Sequence, residues 1–355
     1  MKLFNKKYSQ PGTKPGAIEA FDNGEFKVTL YDYNQAHLDV FENLDLATCH
    51  DYIESDTSTW IHVQGDPSSD AIKLLAKSFG IHELYVEDIL NIGQRPKSEI
   101  SDEQIFLIMS LPFKHDGRAH IEQVSLFLVN NTLISFVTGS TNPFVTVIER
   151  LKNSVGKLRK QKIDYLMYAL IDTIIDFGYP LLEIYSEQIQ ALEDELLETK
   201  NERLLGEIHQ LRRELLLIRR RLWPQREVIN ELLRADDNSL LSETTLLHLR
   251  DCHDHVISIM EMLETFHERT SGLMELYLTS VSLRLNDVMK FLTIFTTVFI
   301  PPTFIVGLYG MNFDSASSPF NMPELSWKYG YILVLCAISA SIGGMLFFFR
   351  RKKWI

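Results

Sequence analysis

The sequence FLTIFTTVFIPPTFIVGLYGMNF, residues 291–313, contains no charged side chain and only one titratable group, the Tyr309 phenol. A second uncharged stretch, residues 329–349, follows after a short polar segment. Each stretch has about 21–23 residues, and a helix that rises about 1.5 Å per residue needs about 20 residues to cross a bilayer. Because the two stretches occur together with charged flanks, we interpret them as two transmembrane helices and not as buried helices of a soluble core.

Positive charge lies on one side of this helix pair. Arg284 and Lys290 precede the first stretch. Four basic residues follow the second stretch: Arg350, Arg351, Lys352 and Lys353. The segment between the stretches contains Asp314, Glu324 and Lys328. Since cytoplasmic loops carry the excess of Lys and Arg, both termini are predicted to be cytoplasmic and the loop to face outward. No apolar stretch follows the basic N-terminus, so we expect no secretory signal and a multi-pass protein of the inner or plasma membrane.

Composition predicts a large acidic body besides the membrane part. The chain has 355 residues, of which 45% are hydrophobic and 23% charged, and its net charge is −12. An acidic balance argues against nucleic acid as a partner and favours cations. The three cysteines, Cys49, Cys252 and Cys336, are scattered. They form neither a disulfide framework nor a metal-binding spacing, as expected in a reducing compartment.

The N-terminal part has the pattern of an α+β domain. Residues 1–20 are polar and rich in Gly and Pro, which predicts a flexible lead-in. Alternating apolar residues predict strands at 25–31, 59–63, 104–111, 124–129 and 133–137, the last two joined by a tight turn at Asn130-Asn131. Helices are predicted at 68–79, 82–90 and 142–155. This order predicts a cytoplasmic domain over 21–160 with a mixed sheet between helices.

Three long helices are predicted after residue 160. The first runs from Asp164 to Lys200 with a bend expected at Pro180, and the second covers 202–235 with a kink at Trp223-Pro224. The third covers 246–308, where apolar residues at spacings of three, four and seven continue into the uncharged stretch. Such a helix is roughly 95 Å long and needs partner helices to cover its apolar side.

Two spans per chain indicate an oligomer, because two helices cannot enclose a water-lined path whereas a ring of copies can. The predicted division after the domain is a stalk at 161–288, a first transmembrane helix at 289–309, an outer loop at 310–326, a second transmembrane helix at 327–349 and a basic tail at 350–355.

Several segments together resemble the CorA family of magnesium and cobalt transporters. They are Tyr309-Gly310-Met311-Asn312, Met322-Pro323-Glu324-Leu325, the run 284–290 (RLNDVMK), the run 86–90 (VEDIL) and the run 94–97 (QRPK). The resemblance covers nearly the whole chain. It implies a funnel-shaped homopentamer in which a long stalk helix becomes the pore-lining first span and the second span packs outside it.

The motif Gly310-Met311-Asn312 suits recognition of a hydrated cation. Magnesium prefers six oxygen ligands and sheds water reluctantly. The Asn312 amide oxygen accepts hydrogen bonds from coordinated water, and its neutrality avoids binding the ion too tightly for release. Gly310 permits close approach and unusual backbone angles, and Met311 is expected to pack. The alternative is a plain helix C-terminus with Gly310 as a left-handed cap.

The resemblance also implies roles along the first span. Asn286 would form a polar ring, and Met289 and Leu292 an apolar constriction that gates by dewetting. Thr303 and Gly307 would line the upper pore. Without the resemblance, helix packing explains Met289 and Leu292 equally well. Pro301-Pro302 is expected to bend the span, because neither residue donates a helical hydrogen bond.

A cation-binding role is implied for acidic residues of the soluble part. Asp251, Asp254 and His255 fall on one helix face, which by itself indicates a solvated surface. The resemblance implies that Asp251 faces Asp88 of a neighbouring subunit and that magnesium bridges them. Weaker candidates for an adjacent site are Glu87, Asp176 and Asp254. Loss of this ion would let the carboxylates repel and open the ring.

The basic tail could simply retain the C-terminus inside. The resemblance implies instead a collar around the pore, toward which the acidic stretch Glu183 to Glu202 would extend. No phosphate-binding loop is present and no nucleophile–base pair stands out, so we expect no enzyme. Influx would be driven by the membrane potential. The alternatives are a transporter that prefers Co²⁺, Ni²⁺ or Zn²⁺, and a membrane sensor that signals through a coiled coil.

Overall fold

A computed structural model describes residues 25–46, 48–49, 57–115, 118–139, 141–198, 203–235, 240–312, 314, 318 and 320–355. The predicted lead-in at 1–20 lies outside these residues. The chain divides into two compact units, Met1–Leu273 and Met274–Ile355.

The first unit contains the predicted mixed sheet, with seven described strands. Their bounds are β1 Phe26–Tyr33, β2 Leu38–Glu42, β3 Ser58–Gly65, β4 Lys97–Ile100, β5 Gln104–His115, β6 Arg118–Val129 and β7 Thr132–Val137. The strand order is β2-β1-β3-β7-β6-β5-β4. The β3–β7 pair is parallel, and the other neighbouring pairs are antiparallel.

The central strands are buried on both faces. All six residues of β7 are buried, and Trp60 and Ile61 point to opposite faces of β3 because side chains alternate along a strand. The two strands that the sequence pattern missed, β2 and β4, lie at the two edges of the sheet. They are short, and none of their residues is fully buried, so neither shows the alternation that identifies a half-buried strand. The predicted turn is confirmed, with Asn130 at a φ of 49°.

Seven shorter helices accompany the sheet in the described part of the first unit. They are α1 Ser69–Phe79, α2 Glu83–Leu90, α3 Val145–Lys152, α4 Ile163–Asp176, α5 Gly178–Glu198, α6 Arg203–Leu222 and α7 Gln225–Arg234. The bend expected at Pro180 is an interruption at Phe177, just before it, and Pro180 lies in the first turn of α5, where no hydrogen bond from its nitrogen is needed. At Trp223-Pro224 the expected kink is a full break between α6 and α7.

A 67-residue helix, α8 Glu243–Tyr309, starts in the first unit and ends in the second. It is continuous through Pro301 and Pro302. A short 3₁₀ helix at Pro323–Ser326 and the helix α9 Gly330–Arg351 follow.

Among the residues that the structure describes, three helical segments are long and apolar enough to cross a membrane. The most apolar windows of α8 and α9 are 0% and 6% buried, whereas the third segment, Ile163–Leu197, is 61% buried within the fold. The two exposed helices are those that the sequence predicts to span the membrane.

Candidate functional site

The motif 310–312 directly follows the last turn of α8. The Gly310 N–H donates to the Val306 carbonyl at 2.9 Å, and the Met311 N–H to the Leu308 carbonyl at 3.2 Å. Gly310 does not adopt a positive φ, so the left-handed cap considered as an alternative is absent at this residue. A Cβ atom on Gly310 would lie 3.3 Å from the Val306 oxygen, which is a tight fit. The Asn312 side chain is exposed directly beyond this helix end.

A contact that the sequence did not predict ties this helix end to the loop. The Tyr309 hydroxyl donates a hydrogen bond to the Glu324 carboxylate, and this bond lowers the pKa of Glu324. Glu324 in turn lies against the start of α9, where a Cβ on Gly330 would clash with the Glu324 carbonyl oxygen at 2.1 Å. The Asn321 amide donates to the Asp314 carbonyl at 2.8 Å. The Tyr309–Glu324 bond thus connects the end of α8 to the segment that leads into α9.

The predicted pore residues all lie on the exposed part of α8. Met289 and Leu292 are 59% and 51% exposed, and Asn286 is exposed as well. The Thr303 hydroxyl donates to the Phe299 carbonyl at 2.8 Å. No atom lies within 4 Å of a Cβ built on Gly307. Their roles in a pore stay predictions, and so does a bend at Pro301-Pro302.

Asp88 is held by basic and amide groups of its own chain. Its side chain is 17% exposed and forms a 2.7 Å ion pair with Lys97. The Gln94 side-chain amide donates to the other carboxylate oxygen at 2.9 Å. The Gln123 side-chain amide donates to the Asp88 backbone carbonyl at 2.9 Å. The carboxylate is therefore fixed in place with a cation already beside it.

A second cluster joins α4 to α8. Ligand atoms of Asp172, Asp176 and His255 all lie within 4.8 Å of one another. His255 Nδ1 is 3.0 Å from an Asp176 oxygen, and His255 Nε2 is 3.9 Å from an Asp251 oxygen. Two or three carboxylates around one imidazole leave net negative charge, which a divalent cation would offset.

The chemistry of Asp172 fits this interpretation. Burial, and then the neighbouring Asp176 carboxylate, raises the pKa of Asp172. The buried Cys252 thiol donates to Asp172 at 3.5 Å. Burial followed by the Asp172 charge raises the pKa of Cys252, so the sulfur stays a neutral thiol and not a thiolate ligand. A cation beside Asp172 would offset the negative charge of the neighbouring Asp176.

Of the predicted adjacent-site residues, Asp176 belongs to this cluster. Asp254 is 80% exposed and lies 3.7 Å from His253, and Glu87 is partly buried on α2 beside Asp88. The sequence did not identify Asp172, although its spacing of four from Asp176 places both on one helix face. The four basic residues 350–353 are exposed, and residues 183–198 of the acidic stretch lie in α5, while 199–202 fall outside the described residues.

Comparison with known proteins adds independent findings. The family model described as CorA-like Mg²⁺ transporter protein matches residues 55–351. The chain is 39% identical over 334 residues to the cobalt/magnesium transport protein CorA of Thermotoga maritima, covering 93% of each chain. It is 30% identical over 255 residues to the magnesium transport protein CorA of Wolinella succinogenes, covering 70% of this chain and 75% of the relative. The solved structure of the CorA magnesium transporter from Methanocaldococcus jannaschii has the same fold, with a TM-score of 0.74, 22% identity, and coverage of 92% of this chain and 98% of that chain.

Proposed function

The chain belongs to the family of CorA-like Mg²⁺ transporter proteins, and we propose that it forms a homopentameric channel for Mg²⁺ influx that internal Mg²⁺ closes. One observation carries this proposal. The motif 310–312 stands at the end of a helix whose apolar surface is uncovered, and a second uncovered apolar helix follows it. Water-filled conduction requires several such pairs around one axis.

Assembly as a ring follows from what α8 leaves exposed. Asn286 and Thr303 carry polar groups along a helix whose other exposed side chains are large and apolar, such as Phe291. A polar stripe within an apolar surface suits a helix that faces water on one side and packs against lipid or other helices on the other. We place Asn286, Met289, Leu292, Thr303 and Gly307 on the pore axis, α9 outside, and both termini in the cytoplasm of a funnel-shaped pentamer.

Ion recognition is assigned to Asn312 at the outer mouth. Five amide oxygens in a ring would accept hydrogen bonds from the waters of a hexahydrated ion, so the ion need not lose its shell to enter. Glu324, whose pKa is lowered by the hydrogen bond from Tyr309, would add negative charge near this mouth. Moving one charge through 100 mV is worth about 2.3 kcal/mol, so a divalent ion gains roughly 4.6 kcal/mol on entry.

Closure is assigned to cation binding in the soluble part. We place a bridging Mg²⁺ between Asp251 and Asp88 of the neighbouring subunit, with Asp172, Asp176 and His255 as an adjacent site in one subunit. When internal Mg²⁺ falls, repulsion among these carboxylates would favour the open ring, since a ligand shifts an equilibrium toward the state that it binds better. Glu87 and Asp254 remain weaker candidates, and the basic tail 350–353 would form the collar.

A second candidate ion is Co²⁺. His255 supplies a nitrogen ligand, and imidazole suits later first-row metals better than it suits magnesium. A transporter that prefers Co²⁺, Ni²⁺ or Zn²⁺ would use the same path with a different regulatory ion.

Ion flux into liposomes that contain the purified protein tests both candidates. Mg²⁺, Co²⁺, Ni²⁺ and Zn²⁺ are supplied outside, and Mg²⁺ is varied inside. We expect Mg²⁺ entry that stops at high internal Mg²⁺ and continues when Asp88→Ala and Asp251→Ala are combined. Asp70→Ala, which removes a fully exposed carboxylate of α1, serves as the control. Normal closure of the double variant would disprove the bridging ion, and faster entry of Co²⁺ than of Mg²⁺ at equal concentration would favour the second candidate.

A further inference from the structure

A cavity of about 180 Å³ lies in the first unit at the carboxyl ends of β3 and β7. That volume corresponds to about six molecules of liquid water at about 30 Å³ each. Its lining includes Asp66, Ile89, Leu90, Ser125, Phe136 and Thr138. It shares no residue with the sites described above, although Ile89 and Leu90 belong to the same helix as Asp88.

The position of the cavity in the sheet is typical of a ligand site. β3 and β7 run parallel, so their carboxyl ends meet at one edge. After β3 the chain enters α1, which packs on the face that carries Ile61 and Val63. After β7 the chain reaches Phe144, whose ring contacts Trp60 on the opposite face. Connections that leave to opposite faces define a topological switch point, and open α/β sheets bind ligands in the crevice at that point.

A buried serine lines this cavity. Ser125 is 1% exposed, so its hydroxyl lies where a ligand in the cavity would contact it. A ligand with a donor or acceptor would form a hydrogen bond with this hydroxyl. The hydroxyl both donates and accepts, so it suits either an amine or an alcohol.

One carboxylate lines the cavity, and a second interacts with it electrostatically. Asp66 lines the cavity at the end of β3, and Glu122 packs against Gly139, the residue after Thr138. Burial, and then the charge of Asp66, raises the pKa of Glu122 to about 7. Among the described residues neither side chain has a basic partner. The rim therefore attracts positive charge that the protein itself does not supply.

We propose that this cavity binds a small aliphatic amine with a second polar end, that is, a short diamine or amino alcohol. The ammonium group would lie near Asp66 and Glu122, the carbon chain against Leu90 and Phe136, and the second polar end at the Ser125 hydroxyl. A hydrated divalent cation fits less well, because it keeps several waters and the inner walls offer mainly apolar contacts.

Binding of an amine in the cavity would stabilise the C-terminal end of α2. The Gln123 side chain, two residues before Ser125, accepts hydrogen bonds from the Gly93 and Gln94 N–H groups at 3.0 Å and donates to the Asp88 carbonyl. Filling the cavity would therefore restrict the segment that positions the Asp88 carboxylate. An effect on channel closure rests on the proposed function, whereas binding itself does not.

Isothermal titration calorimetry of the full chain in detergent at pH 8 tests the binding. The titrants are 1,4-diaminobutane, 4-amino-1-butanol, butylamine, butyrate and MgCl₂. We expect the diamine and the amino alcohol to bind at least threefold more tightly than butylamine, and butyrate not to bind. Asp66→Asn is expected to weaken amine binding at least tenfold, and Ser125→Ala to remove the preference over butylamine. Asp70→Asn, a change to an exposed carboxylate of α1, should leave every affinity unchanged.

Several results would overturn the proposal. They are the absence of amine binding to the wild-type protein, an unchanged affinity in Asp66→Asn, a retained preference in Ser125→Ala, and displacement of the amine by Mg²⁺ with unchanged stoichiometry. Thermal unfolding shows whether each variant is folded. If Asp66→Asn does not fold, Glu122→Gln replaces it, with a weakening of at least threefold expected and an unchanged affinity counting against the amine site. None of these measurements depends on ion transport, so a failed channel assay leaves their outcome intact.

Discussion

The two ends of α8 have the same kind of sequence but opposite surroundings. In the first unit, Leu249 and Ile259 are 0% and 3% exposed. In the second unit, Leu285 and Phe291 are 62% and 70% exposed. Apolar residues recur at helical spacing in both parts, so periodicity alone does not distinguish them. What differs is whether the same chain supplies the covering side chains.

The first part of α8 is covered by close helix contacts. Gly178 at the start of α5 allows Ile259 to approach, since a Cβ there would lie 2.7 Å from the Ile259 Cδ1 atom. Arg269 pairs with Glu193 of α5 at 2.9 Å, and Arg219 of α6 pairs with Glu264. The second part must obtain its cover from lipid or from other copies of the chain. We therefore expect the first part to govern the stability of the domain and the second part to carry the proposed conduction.

The largest expected effect is the loss of conduction when Asn312, just beyond the exposed part of α8, is replaced. Asn312→Ala removes the amide that we propose accepts hydrogen bonds from hydrated Mg²⁺, so we expect liposome influx to fall by about a hundredfold or more. Gel filtration should show the same oligomer as the wild-type protein. Asn153→Ala, which changes an exposed amide at the end of α3, is the control. If influx through Asn312→Ala stays within a fewfold of wild type, Asn312 does not recognise the hydrated ion.

A matched pair of leucine truncations compares the two parts directly. Leu249→Ala creates a cavity in a buried contact and should destabilise the first unit by about 2–5 kcal/mol. Leu285→Ala removes exposed surface and should change the same transition by no more than about 0.5 kcal/mol. Thermal and denaturant unfolding in detergent measure both. An equal loss in the two variants would mean that copies of the chain bury Leu285 as thoroughly as the domain buries Leu249.

The third test asks whether cation sensing depends on α8 alone. Lys97→Met removes the ammonium that pairs with Asp88 at 2.7 Å, so internal Mg²⁺ should bind Asp88 more tightly. We expect the closing concentration of Mg²⁺ to fall several-fold in the liposome assay. Lys73→Met, which breaks a 3.6 Å pair with Asp70, is the control. An unchanged closing concentration in Lys97→Met would leave sensing to the residues on α8.

The smallest expected effect is on the pH dependence of stability, because the two parts differ in their titratable groups. Burial lowers the pKa of His62 in the first unit to about 4 from 6.5, whereas residues 291–308 contain no titratable side chain. Between pH 6.5 and 4 the unfolded chain binds a proton at His62 that the folded chain does not, so the stability of the first unit falls with acid. We expect His62→Gln to flatten this dependence in thermal scans. If His62→Gln leaves the pH dependence of stability unchanged, that dependence arises from other titratable groups.

Much of this fold could be predicted, because the apolar residues that become buried recur at regular spacings in the sequence. The central strands and the membrane-directed part of α8 are strongly patterned and were predicted close to their bounds. β2 and β4 were missed because edge strands have weak alternation. Pro180 and Pro224 mark the two helix breaks in the sequence, whereas the close contact between Gly178 and Ile259 joins residues far apart in the chain and could not be predicted.

The candidate site divides in the same way. The motif 310–312 is contiguous, so its position beside the first apolar stretch could be predicted. The pairing of Tyr309 with Glu324 and of Asp172 with His255 joins residues that are distant in sequence. Such pairs are fixed by how helices pack, and no single-sequence pattern specifies them.

The order of the two parts along the chain has a consequence for biosynthesis. The strands and helices that cover the first part of α8 precede residue 243. They have therefore been synthesised before the exposed apolar part of α8 emerges from the ribosome. Domains fold as units in the order of synthesis. The first unit can thus bury its own apolar surface first. The late appearance of residues 291–349 would then shorten the time during which uncovered membrane helices meet water and aggregate.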